Sequence, residues 1–291
     1  MKNGKPYSRI IAGTMTWGRW GQRWKTPQMS AYMEYALELG IRTFDHADIY
    51  GDYTTEEEFG RALADTKIAR EDIQLISKCG IQLKGTDRQN PLKHYDHGED
   101  YIAASVERSL NKLQTSYLDL LLLHRPSPLM RPEAVASAVV KLMAQGKVRA
   151  FGVSNFTPSQ IALLETQLSV GAHQLQYALT HTEAMYNGVL DDGMMHQRTT
   201  MAWGPLGHYF RDGEQEKGPL KSVMAQLATK YGATEDQLLL AWVMHHPAHL
   251  HPVVGTTNRE RLKRAQGAVE LELQPVDWFL MLQAATGKEV P

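Results

Sequence analysis

Short β-branched and aliphatic runs recur along the chain, and amphipathic stretches separate most of them. The runs are "RIIAGTM" (9–15), "RTFDHAD" (42–48), "IQLISKCG" (73–80), "YLDLLLLH" (117–124), "AFGVSN" (150–155), "HQLQYAL" (173–179), "TTMAWGP" (199–205) and "HPVVGT" (251–256). Each has the length and residue types of a strand. After the first run, Thr26 and Pro27 read as an N-cap and first-turn proline. Met29, Tyr32, Met33, Ala36 and Leu37 follow as a helical stripe, and Gly40 closes it. Asp100 precedes Ile102, Val106, Leu110 and Leu113, while Pro132 leads into Val135, Val139 and Leu142 with Gly146 at the stop. Thr157 and Pro158 repeat the cap-and-proline start before Ile161, Leu164 and Leu168, and Thr234 precedes Leu238 and Trp242.

Strands that alternate with helices predict βα units and a parallel sheet. The run at 117–124 is apolar without alternation, as a parallel strand covered on both faces should be. An open doubly wound sheet would carry a G-x-G-x-x-G turn after its first strand. Here "GTMTWGRWG" follows, with different spacing, and no Pro/Gly/Ser-rich linker divides the chain. The expectation is an α/β protein, a (β/α)8 TIM barrel, in a single domain over residues 1–291.

Charge narrows the function classes. Lys plus Arg number 31 against 32 Asp plus Glu, a formal net charge of −1, so no global basic field would recruit nucleic acid. No run reaches the ~18 apolar residues of a membrane span, and the start lacks a signal-peptide core. Cys79 is the single cysteine, which excludes an internal disulfide. A cytoplasmic protein is expected. "HHPAHLH" (245–251) invites a metal reading, but it precedes the last strand and so falls at the barrel end away from the chemistry. "HYDHGED" (94–100) places His94, Asp96 and His97 together without convincing ligand spacing and reads as a solvated, mobile loop. No metal is expected. Strand alternation turns Cys79 away from the face of Lys78, so it reads as buried bulk.

Barrel active sites lie where strands end. Those ends carry Asp45 and Tyr50, Lys78, His124, Ser154 and Asn155, Gln174 and Trp203 from successive runs. Singly these have bland readings: a rim lysine, a core histidine, a loop-capping aspartate, a packing aromatic. Together they are specific. A lysine beside a tyrosine favours tyrosinate and lowers the phenol from its usual ~10. An aspartate fixes the lysine, and the phenol can then protonate a carbonyl oxygen that a histidine also hydrogen-bonds. His46 and Asp48 read as loop structure. Two other readings stay open: Lys78 as a Schiff-base nucleophile in an aldolase-like enzyme, and a catalytically weak, redox-sensing dinucleotide-binding barrel that serves a protein partner.

"FDHADIYG", "ISKCG", "LLLHRP" and "GVSNF", in this order, resemble the signatures of the aldo-keto reductase superfamily over essentially the whole chain. The resemblance is closest to the YdhF-like bacterial oxidoreductases, through "DHADIYG", "SKCG", "HRPSPLM" and "FGVSNFTP". It implies NADPH-dependent reduction of aldehydes or ketones, small molecules being the partners, with NADH as the alternative donor. The catalytic tetrad would be Asp45, Tyr50, Lys78 and His124, with Tyr50 the general acid. Ser154, Asn155 and Gln174 match positions that hold the nicotinamide carboxamide, and Trp203 the aromatic against its ring. Gly13, Thr14, Met15, Asp45, Gly204 and Leu206 fall at further cofactor positions. Gly255, Thr256, Arg261 and Arg264 fall at the phosphate and adenine end, where a helix beginning near Asn258 offers free N–H groups and Arg261 a bidentate fork. Gly255 replaces a common lysine, Arg264 and Ala265 replace an acid and an amide, and "HQLQ" replaces Asn-Gln-x-Glu. Trp17, with Tyr50 and His124, would line the substrate pocket; Trp17, Trp20 and Trp24 in the 17–26 loop suggest an aromatic wall. The 204–218 loop could fold over the cofactor, and the short tail leaves no long C-terminal lid.

Overall fold

The computed structural model describes residues 6–85, 90–211 and 218–289. Its strands are β1 (Ile11–Gly13), β2 (Thr43–Asp45), β3 (Gln74–Cys79), β4 (Leu120–Leu123), β5 (Phe151–Ser154), β6 (Ala172–Gln176), β7 (Thr199–Trp203) and β8 (His251–Val254). They pair in parallel, each with its sequence neighbours, and β8 returns to β1, closing the barrel. Every predicted run contributes its strand.

Alternation along the strands sorts side chains into two apolar layers. Ile11, Ile76, Leu120, Leu122, Met201 and Val253 fill the interior. Ala12, Phe44, Leu75, Cys79, Leu121, Leu123 and Val153 face the surrounding helices. Cys79 is buried in that outer layer, and burial pushes its thiol well above the usual range.

The predicted caps hold with small shifts. Thr157 caps the helix Pro158–Glu165: its hydroxyl accepts from the Gln160 backbone N–H, and the Gln160 side chain accepts the N–H of Thr157. Thr234 caps Glu235–His245, with Gln237 accepting its N–H. At Thr26–Glu38 the cap is Lys25, one residue before the predicted Thr26, because the Gln28 side chain accepts the N–H of Lys25. Helices at Thr55–Ala64, Val189–Met195 and Pro219–Tyr231 complete the wall, and the tail forms another, Pro275–Thr286. That last helix docks through Asp277, which accepts from Lys230 and Tyr231, and through Trp278, stacked on Trp242 at 4.7 Å.

The stretch after β3 departs from expectation. Ile81–Gln82 pairs with His94–Tyr95 as a small antiparallel hairpin, and His97 is buried against Gly80 rather than solvated. Among the described residues no group of three His, Cys, Asp or Glu side chains is placed to hold a metal, and no helix is long and apolar enough to cross a membrane.

Candidate active site

Asp45 ends β2 and Lys78 lies near the end of β3, both facing the interior, where each is almost wholly buried. All three protons of the Lys78 ammonium are used. They go to Asp45 Oδ2 at 2.7 Å, the His46 carbonyl at 2.7 Å and the Tyr50 hydroxyl at 3.1 Å. The other Asp45 oxygen accepts from Gln174 Nε2 at 2.8 Å. Burial opposes the lysine charge, but Asp45 and Tyr50 outweigh it and hold Lys78 above its ordinary value.

Tyr50 follows β2 in a turn that bends sharply. Gly51, Asp52 and Tyr53 all have positive φ, at 62°, 55° and 69°. Two of these are not glycine, so the turn is strained and needs outside support. Thr54 Oγ1 donates to the Gly51 carbonyl, Lys112 Nζ to the Tyr53 carbonyl, and the Tyr53 hydroxyl accepts from Leu83 N. The strained turn aims Tyr50 back at Lys78. Burial raises the phenol above its ordinary value while the Lys78 charge and hydrogen bond pull it down. The sequence expectation was a net lowering. Burial wins instead, so Tyr50 holds its proton, as a donor must. His124 lies beside it, ring centroids 6.1 Å apart and edge-on. Burial, with Lys78 and Arg125 nearby, drives His124 well below its ordinary value, so it is a neutral imidazole at pH 7. The four predicted catalytic side chains thus meet in one place.

Next to them is a second constellation. Ser154 and Gln174 are register partners on β5 and β6. Asn155 has φ 56° and is held by Trp203, whose indole N–H donates to its Oδ1 at 2.9 Å. Among the described residues the Asn155 amide N–H groups, the Ser154 O–H and the Gln174 carbonyl oxygen have no hydrogen-bond partner. Two donors and an acceptor match the oxygen and one N–H of a primary carboxamide.

An eight-stranded barrel with this tetrad narrows the class, and the sequence comparison decides it. Residues 9–283 match the model of the aldo/keto reductase family. The chain belongs to that family. Among similar aldo/keto reductase relatives is the oxidoreductase YcsN of Bacillus subtilis (strain 168), 38% identical, the match covering 98% of this chain and 96% of that one. Oxidoreductase YdhF of Escherichia coli (strain K12) is 37% identical, over 99% and 97%. A 6-dehydroglucose reductase of Agrobacterium fabrum is also 37% identical, over 90% and 89%. Among solved structures, an aldo/keto reductase from Klebsiella pneumoniae in complex with NADP and acetate superposes with a TM-score of 0.79. It is 26% identical, and 95% of this chain and 90% of that chain are covered.

At the β8 end of this reductase barrel, Asn258 caps the helix Arg259–Gly267 by accepting from Arg261 N. Arg261 is exposed, and its guanidinium makes no hydrogen bond or ion pair among the described residues. Arg264, expected at the adenine end, is paired with Asp236 at 3.0 Å. Thr256 offers its carbonyl to Tyr32 and its hydroxyl to Asn258 N, and the Gly255 carbonyl accepts from Thr16. On β1, Gly13 continues into Thr14, whose buried hydroxyl is committed to the Asp45 carbonyl and His46. Met15 is 46% exposed at the rim. Gly204 and Leu206 open the loop after β7. Gly207 there has φ 57° beside Thr180, while residues 212–217 of the predicted 204–218 loop lie outside the described residues.

Trp17 needs correction. It is wholly buried among Trp24, Tyr32, Phe44 and Phe59, with centroids 5.2–6.1 Å away, so it is core and not pocket wall. Trp20, by contrast, is 39% exposed and 6.2 Å from the Tyr50 ring. Sequence reasoning also passed over Arg125, whose NH1 donates to the His124 carbonyl at 2.5 Å and Ser154 Oγ at 3.1 Å. The signal was in view, since Arg125 follows the strand-end histidine directly in "LLLHRP".

Proposed function

We propose that this chain reduces aldehydes or ketones to alcohols with NADPH, Tyr50 giving the proton. The bound nicotinamide would supply hydride to the carbonyl carbon. Everything else is done by the chain's own side chains. Ser154, Asn155 and Gln174 would fix the carboxamide, and Trp203 would fix Asn155; such orientation is a large part of what a protein adds to hydride transfer. Arg261, without a side-chain partner among the described residues, suits the 2′-phosphate that distinguishes NADPH. The neutral His124 would hydrogen-bond the substrate oxygen as negative charge develops there.

The observation that carries this reading is the three-way commitment of Lys78. An ammonium whose protons all serve Asp45, His46 and Tyr50 has no lone pair for a Schiff base. It acts instead by stabilising the tyrosinate that remains once Tyr50 has delivered its proton. The relative that reduces 6-dehydroglucose supports carbonyl chemistry on oxygen-rich compounds.

The test follows NADPH absorbance during turnover across a panel of aldehydes and ketones, with Tyr50→Phe alongside. The expected result is saturable oxidation of NADPH that falls at least ~10²-fold in the variant while its NADPH affinity is kept. Binding without turnover on any carbonyl would overturn the reading.

A further inference from the structure

Arg125 is a sheltered cation to which the reading above gives no role. It is half-buried at the barrel mouth, beside His124 and Ser154, with its guanidinium carbon 5.5 Å from the Trp203 ring centroid. Only NH1 has hydrogen-bond partners among the described residues, and no carboxylate pairs with it there. Two other sheltered arginines are matched to acids, Arg198 to Glu165 and Asp192 and Arg70 to Asp119, while Arg9 spends its guanidinium on three backbone carbonyls. Asp45, the carboxylate that shares Lys78 with the Tyr50 phenol, is already paired with that lysine. Lys93 adds a second positive charge felt at His124. Among the described residues, the mouth of the site therefore carries an unbalanced positive charge.

Half-desolvating a guanidinium without an anion is costly, and Nε and NH2 still present donors in the planar fork that fits a carboxylate. Across the Tyr50 ring, Trp20 supplies an apolar surface. A ligand that complements both has a short carbon chain with an anion at one end and the reacting carbonyl at the other.

We propose that Arg125 binds a carboxylate carried by the carbonyl substrate, so that the preferred substrates are short oxo acids rather than neutral aldehydes. The proposal rests on the reductase reading above and deepens it. The carboxylate takes no part in bond making: hydride adds to the carbonyl carbon, the Tyr50 proton goes to its oxygen, and the acid end stays anchored.

The experiment measures kcat and KM with NADPH for succinic and glutaric semialdehyde and for the methyl ester of each. Wild type is compared with Arg125→Met and Arg125→Lys. In wild type, kcat/KM for the acids should exceed that for the esters. Arg125→Met should lower kcat/KM for the acids about 10- to 100-fold more than for the esters, mainly through KM, the range expected for hydrogen bonds to a charged group. Arg125→Lys should recover part of that selectivity. Equal use of acids and esters by wild type would overturn the proposal and leave the reductase standing. So would equal losses on both in Arg125→Met, which would make Arg125 only a brace for His124 and Ser154. No turnover of these or any other carbonyl compound would remove both readings.

Discussion

Two buried polar clusters lie back to back across the wall made by β2 and β3, and they are built to opposite ends. Inside the barrel, Lys78, Asp45, Gln174 and Tyr50 form a charged network that reaches the open mouth. Outside, under the helices, Ser77 donates to Glu56 at 2.6 Å and Ser109 to its other oxygen at 3.0 Å. Asp48 there accepts from Ser105 at 3.0 Å and Tyr101 at 3.2 Å. Ser77 and Lys78 are neighbours in sequence, yet strand alternation puts a hydroxyl on one face and an ammonium on the other. The inner acid is bonded to a cation, Lys78, at 2.7 Å. Burial pushes the outer acid, Glu56, up to about 7, and the neighbouring Asp48 charge adds to this, against the pull of its serine hydrogen bonds. Burial alone does not make a polar cluster reactive. A matched counter-ion and a route to the mouth do.

The most severe break in this contrast is Lys78→Met. It removes the charge that stabilises the phenolate, and turnover should fall by ~10²–10⁴. It also leaves Asp45 as an unpaired buried carboxylate, worth about 3–5 kcal/mol of stability. Adding Asp45→Asn to Lys78→Met should recover much of the melting temperature and none of the turnover. If the double variant regained activity, the inner cluster would be a structural brace like the outer one.

The tryptophans sharpen the same contrast. Trp17 belongs to the outer side and Trp20 to the mouth. Trp17→Ala should cost about 3–5 kcal/mol in denaturant unfolding, with KM for the carbonyl little changed in the folded fraction. Trp20→Ala should leave stability within about 0.5 kcal/mol and shift KM. The reverse assignment would return Trp17 to the pocket.

The inner cluster was legible in the sequence because strand ends are legible. Lys78, His124 and Ser154 each come at the end of a largely apolar run, which leaves little room for error in register. The outer cluster was not. Glu56 stands in "TTEEEFG", where three consecutive acids read as a solvated helix start, and nothing local tells which of them turns inward. Only the packing of the helix Thr55–Ala64 against β3 and Glu99–Leu113 shows that Glu56 meets Ser77 and Ser109. Trp17 and Trp20 were confused for a related reason: they stand three apart in a glycine-rich loop, without a period to assign their sides. His46, read as loop structure, is buried in the outer layer, where burial and the Lys78 charge hold it down at about 3. The sign of the Tyr50 shift was missed because the number of apolar atoms around the phenol is a tertiary quantity.

Glu56→Gln is the mildest change and isolates the outer cluster by its pH dependence. The folded-state value of Glu56, about 7, lies above the ~4.3 of an unfolded glutamate. Below about pH 4 both states hold the proton and the group costs nothing. As pH rises towards 7 the unfolded chain ionises while the folded one does not, so stability is lost across that window, and above it the full penalty applies. Glutamine mimics the protonated acid at every pH. The variant should therefore match wild type near pH 4 and exceed it above pH 7, by on the order of 3–4 kcal/mol. Buried neutral histidines such as His46, His97 and His173, whose values lie at about 3 to 4, act in the opposite direction, losing stability as pH falls below their unfolded ~6.5. They are common to both proteins and cancel in the difference. Urea unfolding of the pair at pH 4.5, 6 and 8 gives that difference directly. A gap that is constant with pH would mean that Glu56 is ionised in the folded protein, and that the serines alone can hold a buried charge behind the active site.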